Sequence, residues 1–102
     1  MAKSIMQSDK SYCFIHRCYL NTYVPAVHEH HCIHGNANRK WADCDGLTVY
    51  LCYDCHSALH DKGIHDKDLQ ELAEKTWLEY YGKTIPDWIS RYGKNFIDED
   101  EL

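Results

Sequence analysis

Cys52-Tyr53-Asp54-Cys55-His56, followed by His60 and preceded by the doublet His30-His31, constrains this chain more than any other feature. A Cys-x-x-Cys pair is half of a tetrahedral zinc site, and the imidazoles around it are numerous enough for a second metal site. At 102 residues the chain is one domain with a core that is marginal for its length, so a metal staple answers a need set by size.

Hydrophobic residues make up 44% of the chain and aromatics 13%, which places it among folded proteins. No stretch approaches the ~20 apolar residues of a membrane span, and Met1 to Lys10 has no signal-peptide apolar core. The expectation is a cytoplasmic protein without membrane contact. In a reducing compartment its six cysteines read as metal ligands or free thiols rather than disulfides. A net charge of −5 argues against a general nucleic-acid binder, an objection softened by the charge of bound cations and by the local pair Arg39-Lys40.

Four stretches follow along the chain. Residues 1–11 are polar and read as a flexible lead-in, 12–65 as the metal-stapled core, 66–97 as C-terminal helices packed on it, and 98–102 as a solvated acidic tail. Within the core, Tyr12 to Leu20 reads as a compact turn and Val27 to Cys32 as a short strand. Gly35 to Lys40, rich in turn formers, reads as a loop. Leu47 to Leu51 follows as a second strand, and the Cys-x-x-Cys knuckle leads into a helix carrying His56 and His60. Asp68 with Glu71 predicts a capped helix start, with Leu69, Leu72, Ala73, Thr76, Trp77 and Tyr80 at helical spacing. Gly82 predicts a left-handed stop, and Pro86 with Gly93 brackets a final helix over 85–92. The aromatic stripe of these helices reads as core or as the contact of a homodimer.

Cys52 and Cys55 need two partners. We take Cys13 with Cys18, whose Cys-x4-Cys spacing is in the ligand range, while Cys13-Phe14-Ile15-His16 offers a Cys-x-x-His alternative that leaves Cys18 free. Cys32 and Cys44 then read as small buried hydrophobes. His30 and His31 are adjacent on a strand, so their side chains leave opposite faces; one can hold a metal while the other takes a proton from water. His56 and His60, four apart on a helix, share a face and with His30 make an open three-imidazole site.

His30-His31, a loop with asparagine, then Leu51-Cys52-x-x-Cys55-His56 and a histidine four residues on together resemble the HNH endonucleases. The stretches His30 to Lys40 and Gly46 to Cys52 look especially like small HNH proteins of bacteriophages that infect Gram-positive bacteria, and the likeness extends from Cys13 to Ile97. The resemblance implies an α+β fold: a zinc-stapled ββα-metal (His-Me finger) core with C-terminal helices. It implies a DNA endonuclease of the host cytoplasm with a structural Zn²⁺ on Cys13, Cys18, Cys52 and Cys55 and a catalytic Mg²⁺, Mn²⁺, Ni²⁺ or Zn²⁺. His30, His56 and His60 become ligands of the second ion, with His65 the alternative to His60, and His31 the general base. The family's central asparagine orients that base; its place before the second strand is taken here by Gly46-Leu47, which leaves Asn38 and then Asn36 as substitutes. Arg39 or Lys40 would hold a neighbouring phosphate.

Two other classes compete with this reading. One is a degenerate HNH module that keeps its zinc and binds nucleic acid or a protein without cleavage, favoured by the missing asparagine and the acidic charge. The other is a zinc-stapled interaction module that uses the aromatic helices. The first does not account for His31 and His60 together, and dimerisation through the second would not exclude a nuclease.

Overall fold

The computed structural model describes residues 3–97, so the acidic tail lies outside the described residues. Seven elements follow in order: α1 (Phe14–Tyr19), β1 (His28–His31), α2 (Asn36–Asp45), β2 (Thr48–Leu51), α3 (Tyr53–Lys62), α4 (Asp66–Tyr81) and α5 (Ile85–Tyr92). The fold is a small α+β arrangement in which β1 and β2 form one antiparallel pair. Its register sets His28 opposite Leu51, Glu29 opposite Tyr50, His30 opposite Val49 and His31 opposite Thr48. Alternation along β1 therefore turns His30 into the interior, while Glu29 and His31 share the other face. Among the described residues no helix is long and apolar enough to cross a membrane.

Three local readings are corrected. Tyr12 to Leu20 is not merely a turn, because six of its residues form α1 with Phe14 and Ile15 buried. Gly35 to Lys40 is not a loop but the cap and first half of the ten-residue helix α2. Its only fully buried apolar residue is Ala42, so no apolar stripe announces it. Helix α4 begins at Asp66, earlier than the Asp68 signal, and Asp68 bonds the ring of His65 at 3.1 Å. The stop at Gly82 is left-handed as read, Gly93 ends α5 in the same conformation, and Asp87 accepts the Thr84 backbone N–H at 3.0 Å to start α5.

Polar residues of the N-terminal stretch lie against β2 rather than standing free. Ile5 N–H donates to Gly46 O at 2.9 Å, Tyr50 N–H donates to Gln7 Oε1 at 2.8 Å, and Ser4 Oγ donates to the Thr48 carbonyl. Gly46 is required where these segments meet. Its φ of +77° is left-handed, and a Cβ there would come within 2.3 Å of the Lys3 carbonyl.

Asp45, at the end of α2, fastens the C-terminal helices to the core. Its carboxylate accepts from Trp77 Nε1 at 2.9 Å, Tyr92 Oη at 2.7 Å and Arg91 Nε at 2.6 Å, and its carbonyl accepts from Tyr81 Oη at 2.9 Å. Trp77 and Trp88 meet edge to face beside it, with centroids 5.4 Å apart. Part of the aromatic stripe is thus core, whereas Tyr80 stays exposed.

Glu74 is fully buried on α4. One carboxylate oxygen accepts the Phe96 N–H at 2.6 Å and the other has no partner. Burial raises its pKa above the ordinary value. A group raised in the folded state contributes stability that is present below the unfolded pKa and lost as pH rises through the folded one. Glu74→Gln, which keeps an acceptor for Phe96, therefore gains on wild type as pH rises from about 4 to about 8. Urea midpoints at the two ends measure the gap, and a constant difference would contradict the assignment.

Candidate metal centres

The first centre is built by two helix starts. Cys13 is the N-cap of α1 and His16 lies one turn in; Cys52 is the N-cap of α3 and Cys55 sits in its first turn, donating its N–H to Cys52 Sγ at 3.5 Å. His16 Nδ1 stands 3.3 Å from Cys55 Sγ and 3.6 Å from Cys52 Sγ. Zinc with ordinary Zn–S and Zn–N bonds in tetrahedral geometry holds sulfur and nitrogen about 3.5 Å apart, which these distances bracket. Donor atoms of Cys13, His16, Cys52 and Cys55 all lie within 4.8 Å of one another, and the group can bind a structural metal such as zinc.

This corrects the second half of the thiolate site. Cys18 is exposed and stands outside the group. The cause is α1 itself: at 100° per residue, His16 stays near the Cys13 side of the helix while Cys18, five residues on, is carried well round it. Cys32 is buried as read, but Cys44 is exposed on α2.

Electrostatics of the group suit a cation. Burial pushes the Cys13 thiol up, yet hydrogen bonds from the Cys52 and His16 backbones and from both side chains outweigh it and bring it to about 7. Cys55 is pushed upward by burial and by the sulfurs of Cys52 and Cys13 beside it. Three sulfurs this close cannot all ionise cheaply without positive charge among them.

The second centre draws on a neighbouring face of α3. His56 Nε2 and His60 Nε2, one turn apart, are 3.0 Å from each other. Two nitrogens bound at about 2.1 Å to adjacent positions of one ion have nearly that separation. His30 joins from β1, its ring centroid 5.4 Å from His56 and 5.6 Å from His60, and the three donor atoms again lie within 4.8 Å. His30 Nε2 is buried with no hydrogen-bond partner, an orphan that a bound cation would satisfy. Burial, reinforced by the neighbouring imidazoles, lowers His30 to about 3 and moves His56 in the same direction. Both rings are therefore neutral at pH 7, the form that ligates metal. His65 does not join them. It stacks on Tyr19 at 4.9 Å and bonds Asp68, so His60 fills the position for which the two were alternatives.

His31 points to the opposite face of β1, as adjacency on a strand requires. Its Nε2 is 3.3 Å from Asp43 Oδ1 and 4.0 Å from Glu29 Oε1, while the other Glu29 oxygen accepts from Tyr50 Oη at 3.1 Å. These acidic partners are absent from the sequence reading. Glu29 carried a signal, since i and i+2 share a strand face; Asp43 carried none, because it lies past the Gly35 to Lys40 loop in a stretch with no element assigned from sequence. Asn38 donates to the Tyr92 carbonyl at 3.2 Å, tying α2 to α5, and Asn36 opens α2. His31 and the three-histidine group border one cleft of about 300 Å³, lined also by Glu29, Ile33, His34, Gly35 and Arg39. Lys40 is exposed on α2 and is not among the lining residues.

No family profile matches the chain, and no curated protein or solved structure is significantly similar to it.

Proposed function

We propose that this chain is a metal-dependent DNA endonuclease of the HNH type, hydrolysing phosphodiester bonds at the His30–His31 cleft. One observation carries the reading: three imidazoles converge on one point while a fourth, His31, borders the same cleft without joining them. A closed structural site has no use for that arrangement, whereas an open ion beside an unligated base is what hydrolysis needs. The element order β1, β2, α3, with α2 inserted, accords with a ββα-metal core.

A divalent ion held by His30, His56 and His60, whether Mg²⁺, Mn²⁺, Ni²⁺ or Zn²⁺, would supply Lewis acidity toward a phosphate oxygen and the leaving 3′ oxygen. The protein's own residues do the rest. His31 accepts the proton of the attacking water. Arg39, at the edge of the cleft, offers a cation to a neighbouring phosphate, and Lys40 extends that charge along the exposed side of α2. Cys13, His16, Cys52 and Cys55 hold α1 to the start of α3, and so set where His56 and His60 stand.

Supercoiled plasmid incubated with zinc-loaded protein and added Mg²⁺, Mn²⁺ or Ni²⁺ is expected to give nicked or linear product, abolished by EDTA. Lack of product on plasmid, branched and single-stranded DNA alike would overturn the nuclease and leave a zinc-stapled binding module.

A further inference from the structure

A neutral imidazole carries one N–H, and only its other nitrogen can accept a proton, so a base is useful only if something fixes its tautomer. His31 Nε2 faces two carboxylates, Asp43 at 3.3 Å and Glu29 at 4.0 Å. Ionised carboxylates accept hydrogen bonds and cannot donate them, so the nitrogen between them is the one that bears the hydrogen. We propose that Asp43 is the positioning residue of His31: it accepts the Nε2–H, holds the ring, and leaves the Nδ1 lone pair as the atom that receives a proton from water. Glu29 supports it. Its second oxygen is held by the Tyr50 hydroxyl, and at 4.0 Å it acts on the ring through charge rather than through a hydrogen bond.

The placement explains how the chain manages without an asparagine before β2. The position reads Gly46-Leu47, and Asn38 is engaged with Tyr92. Helix α2, capped by Gly46, brings Asp43 to the same imidazole from the side. A carboxylate that orients a histidine base and stabilises its protonated form is a recurrent solution in hydrolases. The same three side chains have donor atoms within 4.8 Å and could hold a cation, in which case Nε2 would carry a metal instead of a hydrogen.

This inference rests on His31 being the base of the proposed nuclease, but the tautomer can be read without activity. In ¹⁵N-labelled, zinc-loaded full-length protein, His31 is expected as the Nε2–H tautomer, its signals assigned by their loss in His31→Gln. Asp43→Ala is expected to lose that preference and to lower kcat by about 10²-fold with KM within about twofold, and Asp43→Glu to restore most of kcat. An Nδ1–H tautomer in wild type, a metal on Nε2, or unchanged kcat in Asp43→Ala would overturn the role of Asp43. Absence of cleavage by wild type would overturn the proposed function instead, while the tautomer would still decide whether Asp43 positions the ring.

Discussion

His16→Ala and Cys55→Ala lose zinc and unfold in conditions where Cys18→Ala remains native. The thiolate and imidazole donors join α1, at one edge of the core, to the start of α3, and the buried Cys13, Phe14 and Ile15 pack only if α1 is held there. In small sites of this donor set zinc binding and folding are coupled, with apparent zinc affinities of about 10–16 kcal/mol. Removing one of four donors should cost at least about 3 kcal/mol, a large share of a small domain's stability. Cys18 is exposed and outside the group, so its alanine variant stays within about 0.5 kcal/mol of wild type. Zinc content and urea unfolding followed by circular dichroism measure both. Equal loss in Cys18→Ala and His16→Ala would contradict the ligand set.

His31→Ala abolishes cleavage without disturbing the fold. The side chain is partly exposed at the cleft and stands outside both the Cys13–His16–Cys52–Cys55 group and the His30–His56–His60 group, so its truncation opens no core cavity and leaves the donors of those two centres in place. A general base contributes about 10²–10⁴-fold, and single-turnover nicking should fall by a factor in that range. The urea midpoint and bound metal should be unchanged. Loss of metal together with activity would make His31 a ligand, and full activity would place the base elsewhere.

How much of this was legible depended on whether local chemistry determined the outcome. The division of His30 from His31 followed from strand alternation, and the pairing of His56 with His60 from helical spacing; both hold because they are properties of the backbone. Gly82, Pro86 and Gly93 marked helix limits through their own dihedral preferences. The choice between Cys18 and His16 was different. Both spacings satisfy zinc, and only the conversion of Tyr12 to Leu20 from turn to helix turns one residue toward the site and the other away. Helix α2 escaped notice because its turn formers dominate its first residues, while it is held by a buried alanine, the Asp45 hub and the Gly46 cap. With α2 went Asp43, whose relation to His31 exists only in three dimensions.

One short segment, Cys52 to His60, supplies donors to two separate candidate metal centres. Cobalt(II) titration of the metal-free protein, with stoichiometry read alongside the absorption of thiolate-bound cobalt, tests it most directly. Wild type should take up two ions per chain, one with thiolate-to-metal absorption and one without. His56→Ala should keep the first and lose the second. A single ion in wild type, or two ions retained in His56→Ala, would contradict the account.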